Sequence, residues 1–585
     1  MKSRTSFFNT TVLRKDITRY APVWGLYTVG LLTLLLMPVL FESSGERAEV
    51  LIDSMSGFGI INMILGGLCA LMVFGDLFKT RLCYATHALP LRREGWFLTH
   101  YTAGVLFSTV PNLFISLIFL PLLGQYWYLA LLWFASNLMQ YLFFFGVGAF
   151  SAMCAGNRLG AAAVYLIINC TTYLLDWCAQ DIYIPMLYGM VYDGTFLGIL
   201  TPVTQISSME LVDYIAVSFD GLDIVRPFQV IGFMTGEWIY LAVIAVLGLV
   251  FALLAVLVYR KRNLENAGDF LSLNAIKPVF LVVFTLAISY LLHSFLPYGG
   301  LFVGIFVGMF AGKMLLERTV RVFKGKTFLF WGVFSTLILL SLIITSADLF
   351  GVTRYVPDTE DVEAVYFYDS SDRYDYEDQE ERPGAISDPG EIEQYRQFHA
   401  AMADGRHKHN EERGVTMYME YELKNGQHVV RRYDVPVYSP EGQFTREKLS
   451  TWQAVFKSND WQQVIDRVTE ADLEIRVGDE IGQVTMTDRQ QLLGLLEAMR
   501  RDCEEGNMAQ NWGFHAEEET AVWVNIHDAE YYARLEEMMM DIVVPHNSNG
   551  ITYHVYSLSL NVYESCHHTI AYLESLDLVP DLYEK

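Results

Sequence analysis

Apolar residues follow two rhythms along this chain. Up to about residue 346 they come in long runs broken by short polar loops; beyond it they come in short alternating or helical stripes. A helix needs about 20 apolar residues to cross a bilayer, or somewhat fewer where it is short or kinked. Nine runs meet that need: Pro22–Phe41, Ser56–Gly75, Thr102–Leu123, Trp127–Met153, Gly160–Trp177, Trp238–Tyr259, Pro278–Leu296, Gly299–Met314 and Thr327–Thr345. The C-terminal stretch predicts strands and helices. Val415–Leu423 and His428–Val437 flank Asn425-Gly426, a hairpin signal, because a tight two-residue turn favours Asn-Gly. Gln483–Met486, Ala521–Ile526 and Ile551–Tyr563 read as strands, each leading into a helix: Asp488–Arg501, Ala529–Met540 and His568–Leu576. The fold class expected is an all-α polytopic membrane domain of about nine transmembrane helices, N-terminus inside, plus a C-terminal extracytoplasmic α+β domain.

Charge sharpens the division. The whole chain carries −25. From Ala347 onward there are about 48 acidic and 20 basic residues; the first 346 residues hold about 18 and 21. Basic loops stay on the cytoplasmic side of a membrane, and here every second loop is basic. Lys2, Arg4, Arg14, Lys15 and Arg19 precede the first span, and Lys79, Arg81, Arg92 and Arg93 follow the second. Arg158 follows the fourth, Arg260–Arg262 the sixth, and Arg318, Arg321, Lys324 and Lys326 the eighth. An inside start and nine crossings put the acidic domain outside the plasma membrane. No cleavable signal is expected ahead of the first span.

Smaller features follow the same logic. Ser3–Tyr20 has an approximate amphipathic pattern and predicts an interfacial helix. The segment Gln180–Glu237 is moderately apolar but broken by Pro185, Pro202 and Pro227, which predicts short or re-entrant helices at the outer surface. Gly304, Gly308 and Gly312 fall on one helix face, spaced for close helix packing. Ser370–Pro389 is acidic and poor in aliphatics, the composition of a mobile loop. Cys503 and Cys566 are the two cysteines of the acidic half; a disulfide and two free thiols both stay open.

The candidate chemistry is sparse. Gly325-Lys326-Thr327 has the tail of a phosphate-binding loop, but Val320 stands where the leading glycine is required. The span centres nearly lack ionisable groups, which disfavours an ion-coupled carrier. Asn137, Gln140, Asn169 and Thr172 remain, either as hydrogen-bonding links between helices or as a substrate path. His407, His409, His567 and His568 lack metal-ligand spacing, so no metal site, catalytic residue or bound cofactor is expected, and no nucleic-acid partner. The segment Asp76–His100 stands out instead, mixing charge with Leu77, Phe78, Leu82, Tyr84, Leu89, Leu91, Trp96 and Phe97. Such a mix suits docking to a partner, and Pro90 divides it into two short helices.

Leu89-Pro90-Leu91-Arg92-Arg93 after the second span, and Tyr259-Arg-Lys-Arg-Asn-Leu-Glu-Asn-Ala-Gly268 after the sixth, resemble the permease subunits of bacterial ABC-2-type transporters of the large Gram-positive kind. The resemblance covers residues 1–268: an N-terminal basic helix, six spans, a coupling loop at 76–101 and outer helices at 180–237. Residues 269–346 would then be three additional spans, and 347–585 the extracytoplasmic domain of extended members, opened by Asp348-Leu-Phe-Gly351 and Arg354-Tyr-Val-Pro357. It implies that a separate cytoplasmic ABC ATPase, binding ATP and Mg, pushes on Asp76, Lys79, Arg81, Leu89, Pro90, Arg92 and Arg93. It also implies a homodimer or a second permease, and export of a lipid-like, peptide or antimicrobial substrate. The alternative is a membrane sensor whose acidic domain detects a cationic ligand.

Overall fold

The computed structural model describes residues 8–41, 44–88, 92–192, 198, 200–215, 229–262, 265, 267–369, 385–404, 414–451, 465–466, 468–477, 480–509, 520–528 and 557–578. The chain divides into two compact units, Met1–Gln180 with Gly194–Ser341, and Asp181–Asp193 with Leu342–Lys585. A short piece of the chain between the fifth and sixth expected spans belongs with the C-terminal unit.

The first unit is helical. A short helix α1 (Thr10–Arg19) is capped by Asn9, whose side chain accepts from the amides of Thr11 and Val12. Its length is less than the Ser3–Tyr20 expected, and residues 3–7 lie outside the described residues. Then come α2 (Ala21–Phe41), α3 (Ser44–Gly57), α4 (Gly59–Val73), the short α5 (Thr80–His87), α6 (Arg93–Leu122), α7 (Tyr128–Cys154) and α8 (Arg158–Cys178). After α9 (Pro202–Ser207) the chain forms an antiparallel ribbon, β1 (Val212–Ile215) with β2 (Gln229–Phe233), where only short helices were expected. There follow α10 (Thr235–Lys261), α11 (Ile276–Phe295), α12 (Pro297–Glu317) and α13 (Gly325–Ser346), whose last residues, from Leu342, belong to the second unit. Among the described residues, eight helices are long and apolar enough to cross a membrane. A ninth arises if α3 and α4, bent by 51°, count as one span.

Small residues set how closely these helices approach. A Cβ on Gly146 of α7 would lie 2.1 Å from the carbonyl oxygen of Gly248 on α10. On α12, a Cβ on Gly304 would lie 2.4 Å from the Cα of Ser289, and one on Gly308 2.8 Å from the Cα of Thr285; Gly312 faces Leu281. Backbone-to-backbone contact of this kind is how helices gain dispersion energy in lipid, where no hydrophobic drive joins them.

Among the described residues, the C-terminal unit has two antiparallel sheets. The first has the order β3 (Val362–Asp369), β4 (Gly414–Leu423), β5 (His428–Pro436), with α14 (Pro389–Ala403) and α15 (Pro440–Leu449) against it. The β4–β5 turn is at Asn425-Gly426, and Gly426 takes φ +79, which glycine adopts without strain. The second sheet runs β7-β6-β8-β9: β6 (Val468–Val477), β7 (Glu480–Met486), β8 (Thr520–Asp528) and β9 (Ser557–Tyr563). Helices α16 (Arg489–Glu504) and α17 (His567–Ser575) share its core, with Leu473, Val524, Leu560, Leu496, Met499, Ile570 and Cys503 among the buried residues. Two of the three expected strand-then-helix steps are present; the helix at 529–540 lies outside the described residues. The end of Ser370–Pro389 is ordered structure, since Ile386 bridges Val365 and Asp388 caps α14; residues 370–384 lie outside the described residues.

Candidate functional site

The basic segment after α4 is held from inside and open outside. A 3₁₀ turn, Gly75–Phe78, buries Leu77 and Phe78, and Asp76 pairs with Arg19 of α1 at 3.2 Å. Lys79 is exposed and extended, and α5 starts after it. Along α5, Cys83 is buried, whereas Arg81, Leu82, Tyr84 and Ala85 are exposed, Leu82 at 37% and Tyr84 at 49%. His87 ties the helix inward. Its Nδ1 lies 2.6 Å from the Cys83 carbonyl and its Nε2 lies 2.8 Å from the Tyr259 hydroxyl of α10. Burial, with the Arg93 and Arg262 charges nearby, pushes His87 below the ordinary imidazole value, although the Cys83 bond works against this. Neutral His87 therefore accepts from Tyr259 through Nε2 while donating through Nδ1. Leu89, Pro90 and Leu91 lie outside the described residues.

Two arginines join this segment to helix ends. The last carbonyls of a helix lack intrahelical donors and sit at the negative end of its dipole, so cations belong there. Arg93 donates through Nη1 to the carbonyls of Tyr259, Arg260 and Arg262 at 3.2, 3.1 and 3.0 Å, beside a Glu94–Arg260 pair at 2.7 Å. Arg262, 6% exposed, donates to the carbonyls of Ala152 (3.0 Å) and Met153 (3.4 Å) in α7 and of Leu77 (3.3 Å). The segment and the ends of α7 and α10 are thus one joint. Of the residues expected to meet a partner, Asp76 and Arg93 are engaged within the joint, and Lys79, Arg81 and Arg92 are exposed.

Sequence reasoning missed Tyr259 and Arg262 as parts of this joint. Their signal was the Tyr-Arg-Lys-Arg run, which loop polarity alone also explains. It also missed Asp16 and His100. Both are buried, with Asp16 Oδ2 2.5 Å from His100 Nδ1, where α1 packs on α6 and the Asn9 amide donates to Thr99 Oγ1. An acid on the apolar side of an amphipathic helix was the available clue.

The polar residues within the spans are gathered by Asn62, a residue the sequence reading passed over. Its Nδ2 donates to Asn137 Oδ1 (3.0 Å) and Gln140 Oε1 (2.9 Å), and Gln140 donates on to the Met55 carbonyl. All three are fully buried. Asn169 is apart from them, donating to the Tyr165 carbonyl, and Thr172 meets Leu200 and Thr201.

In the C-terminal unit, Asp502, Glu505 and His568 bring donor atoms within 4.8 Å of one another, as do Glu470, Asp472 and His527. Asp502 already caps α17, accepting from the amides of His568 and Thr569 and from the Thr569 hydroxyl. His407 and His409 lie outside the described residues. No family model matches this chain, and comparison with curated proteins and with solved structures finds none similar to it.

Proposed function

We propose that this chain is the membrane-spanning permease subunit of an ATP-driven ABC transporter, exporting a lipid-like, peptide or antimicrobial substrate. A separate cytoplasmic ATPase docks on the exposed face of α5 and supplies the ATP chemistry, and the permease works as a homodimer or beside a second permease. The observation that carries this reading is the two-faced helix α5. Its exposed side offers Arg81, Leu82 and Tyr84, a cation with two apolar anchors, as interfaces favour. Its inner side is bonded through His87 to α10, so a push on α5 reaches the spans without a flexible linker. Orientation supports the same reading. Among the described residues, seven membrane-length helices, α6 to α8 and α10 to α13, lie between α5 and residues 347–585. That odd number of crossings, with the basic loops on the α5 side, supports a cytoplasmic α5 and an extracytoplasmic C-terminal domain.

The test is purification of the full chain expressed with its neighbouring genes. An ATP-hydrolysing subunit is expected to be retained, and Arg81→Glu with Tyr84→Asp is expected to release it while leaving the thermal stability of the chain unchanged. Arg93 is unsuitable for this test because it caps α10. A chain that retains no ATPase, or a double variant that keeps its full complement, contradicts the proposal.

A further inference from the structure

The first sheet of the C-terminal unit buries a positive charge with no carboxylate paired to it among the described residues. Arg431 on β5 is 4% exposed. One of its terminal nitrogens donates to the Val430 carbonyl at 3.2 Å and the other to the Val352 carbonyl at 3.1 Å, while its buried Nε–H has no acceptor. Asp348 lies in its field, but the Asp348 oxygens accept from the amides of Val352 and Thr353 and from the Thr353 hydroxyl. Two residues along the same strand face, Tyr433 is buried, its hydroxyl beside the Arg431 guanidinium but without a well-formed hydrogen bond. The ring of His399, from α14, lies 5.8 Å from that of Tyr433 and 5.4 Å from that of Tyr421. His399 is fully buried; its Nδ1 lies 3.1 Å from the Tyr421 hydroxyl and its Nε2 has no partner. The ring of Tyr188 lies 5.5 Å from that of Tyr433, tilted by 53°, and its hydroxyl too is buried and unmet.

Buried polar groups are nearly always satisfied, so four unmet atoms on adjoining side chains ask for a partner. Their chemistry is one-sided. A guanidinium only donates. Burial, with the Arg431 and Arg396 charges, pushes His399 down to about 3, so it is neutral. With the Tyr421 hydroxyl donating to Nδ1, Nε2 carries the proton. The two tyrosine hydroxyls donate as readily as they accept. A species that only accepts, and carries a negative charge, completes the set.

We propose that Arg431, Tyr433, His399 and Tyr188 form a buried site for a small monovalent anion, a halide or a compact carboxylate. The segment from the α8 side closes it. The Arg432 amide donates to the Gly189 carbonyl at 3.0 Å and Met190 bridges Arg431, so residues 188–190 lie along the β5 edge at the site. Gly189 takes φ +78, and a Cβ there would stand 2.3 Å from the Tyr433 ring. Only glycine lets this segment close so tightly. The acidity of residues 347–585, about −28 by residue count, opposes anion entry. Recognition therefore rests on the four side chains rather than on the overall field.

The test is thermal unfolding of the full chain in detergent micelles at constant ionic strength. Sodium gluconate, too bulky to enter, is replaced stepwise by sodium chloride or sodium formate. A midpoint that rises and saturates is expected for the native chain. Arg431→Gln is expected to abolish the rise, and Tyr433→Phe to require about tenfold more anion. No anion-specific rise in the native chain overturns the proposal and leaves water as the occupant. An equal rise in Arg431→Gln overturns it as surface binding. Should Arg431→Gln fail to fold, an unchanged half-saturation in both Tyr433→Phe and His399→Gln overturns it instead.

Discussion

The two units each bury an arginine, and they do so in opposite ways. Arg262 in the membrane unit has its guanidinium on three main-chain carbonyls, two of them at the end of α7. Arg431 in the C-terminal unit has two carbonyls and one N–H with nothing to meet. A guanidinium spread over helix-end carbonyls satisfies groups that the helix itself leaves open, and so acts as scaffold. One left short of acceptors pays for its burial without full return, which is the mark of a place kept for something else.

This contrast makes its largest prediction at Arg262. Arg262→Met strands carbonyls in α7 and the turn before α5, and is expected to cost about 3 kcal/mol, read by denaturant unfolding in detergent. Arg431→Met, in buffer free of small anions, is expected to cost less than about 1 kcal/mol, because it also removes an unsatisfied charge. Equal costs break the comparison.

A smaller effect distinguishes the units by pH. His399 is held near 3 in the folded chain against 6.5 as a free imidazole, so the unfolded chain binds the proton first. Its contribution is full above pH 6.5 and is lost as pH falls from there toward 3. The loss reaches about 1.4 kcal/mol one unit below pH 6.5. His399→Gln is expected to flatten that fall in the unfolding of the C-terminal unit; an unaltered slope shows that other groups cause it.

How much was legible depended on the range of the interaction. The spans could be read because a bilayer demands a run of apolar residues in one stretch of chain. The β4–β5 hairpin could be read because Asn425-Gly426 fixes its own turn. Strand β6 carries a period-two signal in Ala471, Leu473 and Ile475, alternating with Asp472 and Glu474, which the sequence reading passed over. The joint around Arg262 and the pair Asp16–His100 were not legible, because each joins residues more than 80 positions apart. Positive loops announce only which side they favour; whether a given arginine faces solvent or caps a neighbour's carbonyls depends on how the helices end in space. The cluster at His399 was hidden for the same reason, since it takes side chains from α14, β4, β5 and the segment near Gly189.

The proposed coupling role of α5 requires that α5 and the acidic domain lie on opposite faces of the membrane. Single cysteines at Leu82 and at Tyr438, which is 74% exposed, test this directly when labelled in intact cells with a membrane-impermeant maleimide, above the background of the native chain. Tyr438→Cys is expected to be labelled in intact cells and Leu82→Cys only after permeabilisation. Labelling of Leu82→Cys in intact cells, or protection of both, contradicts this placement.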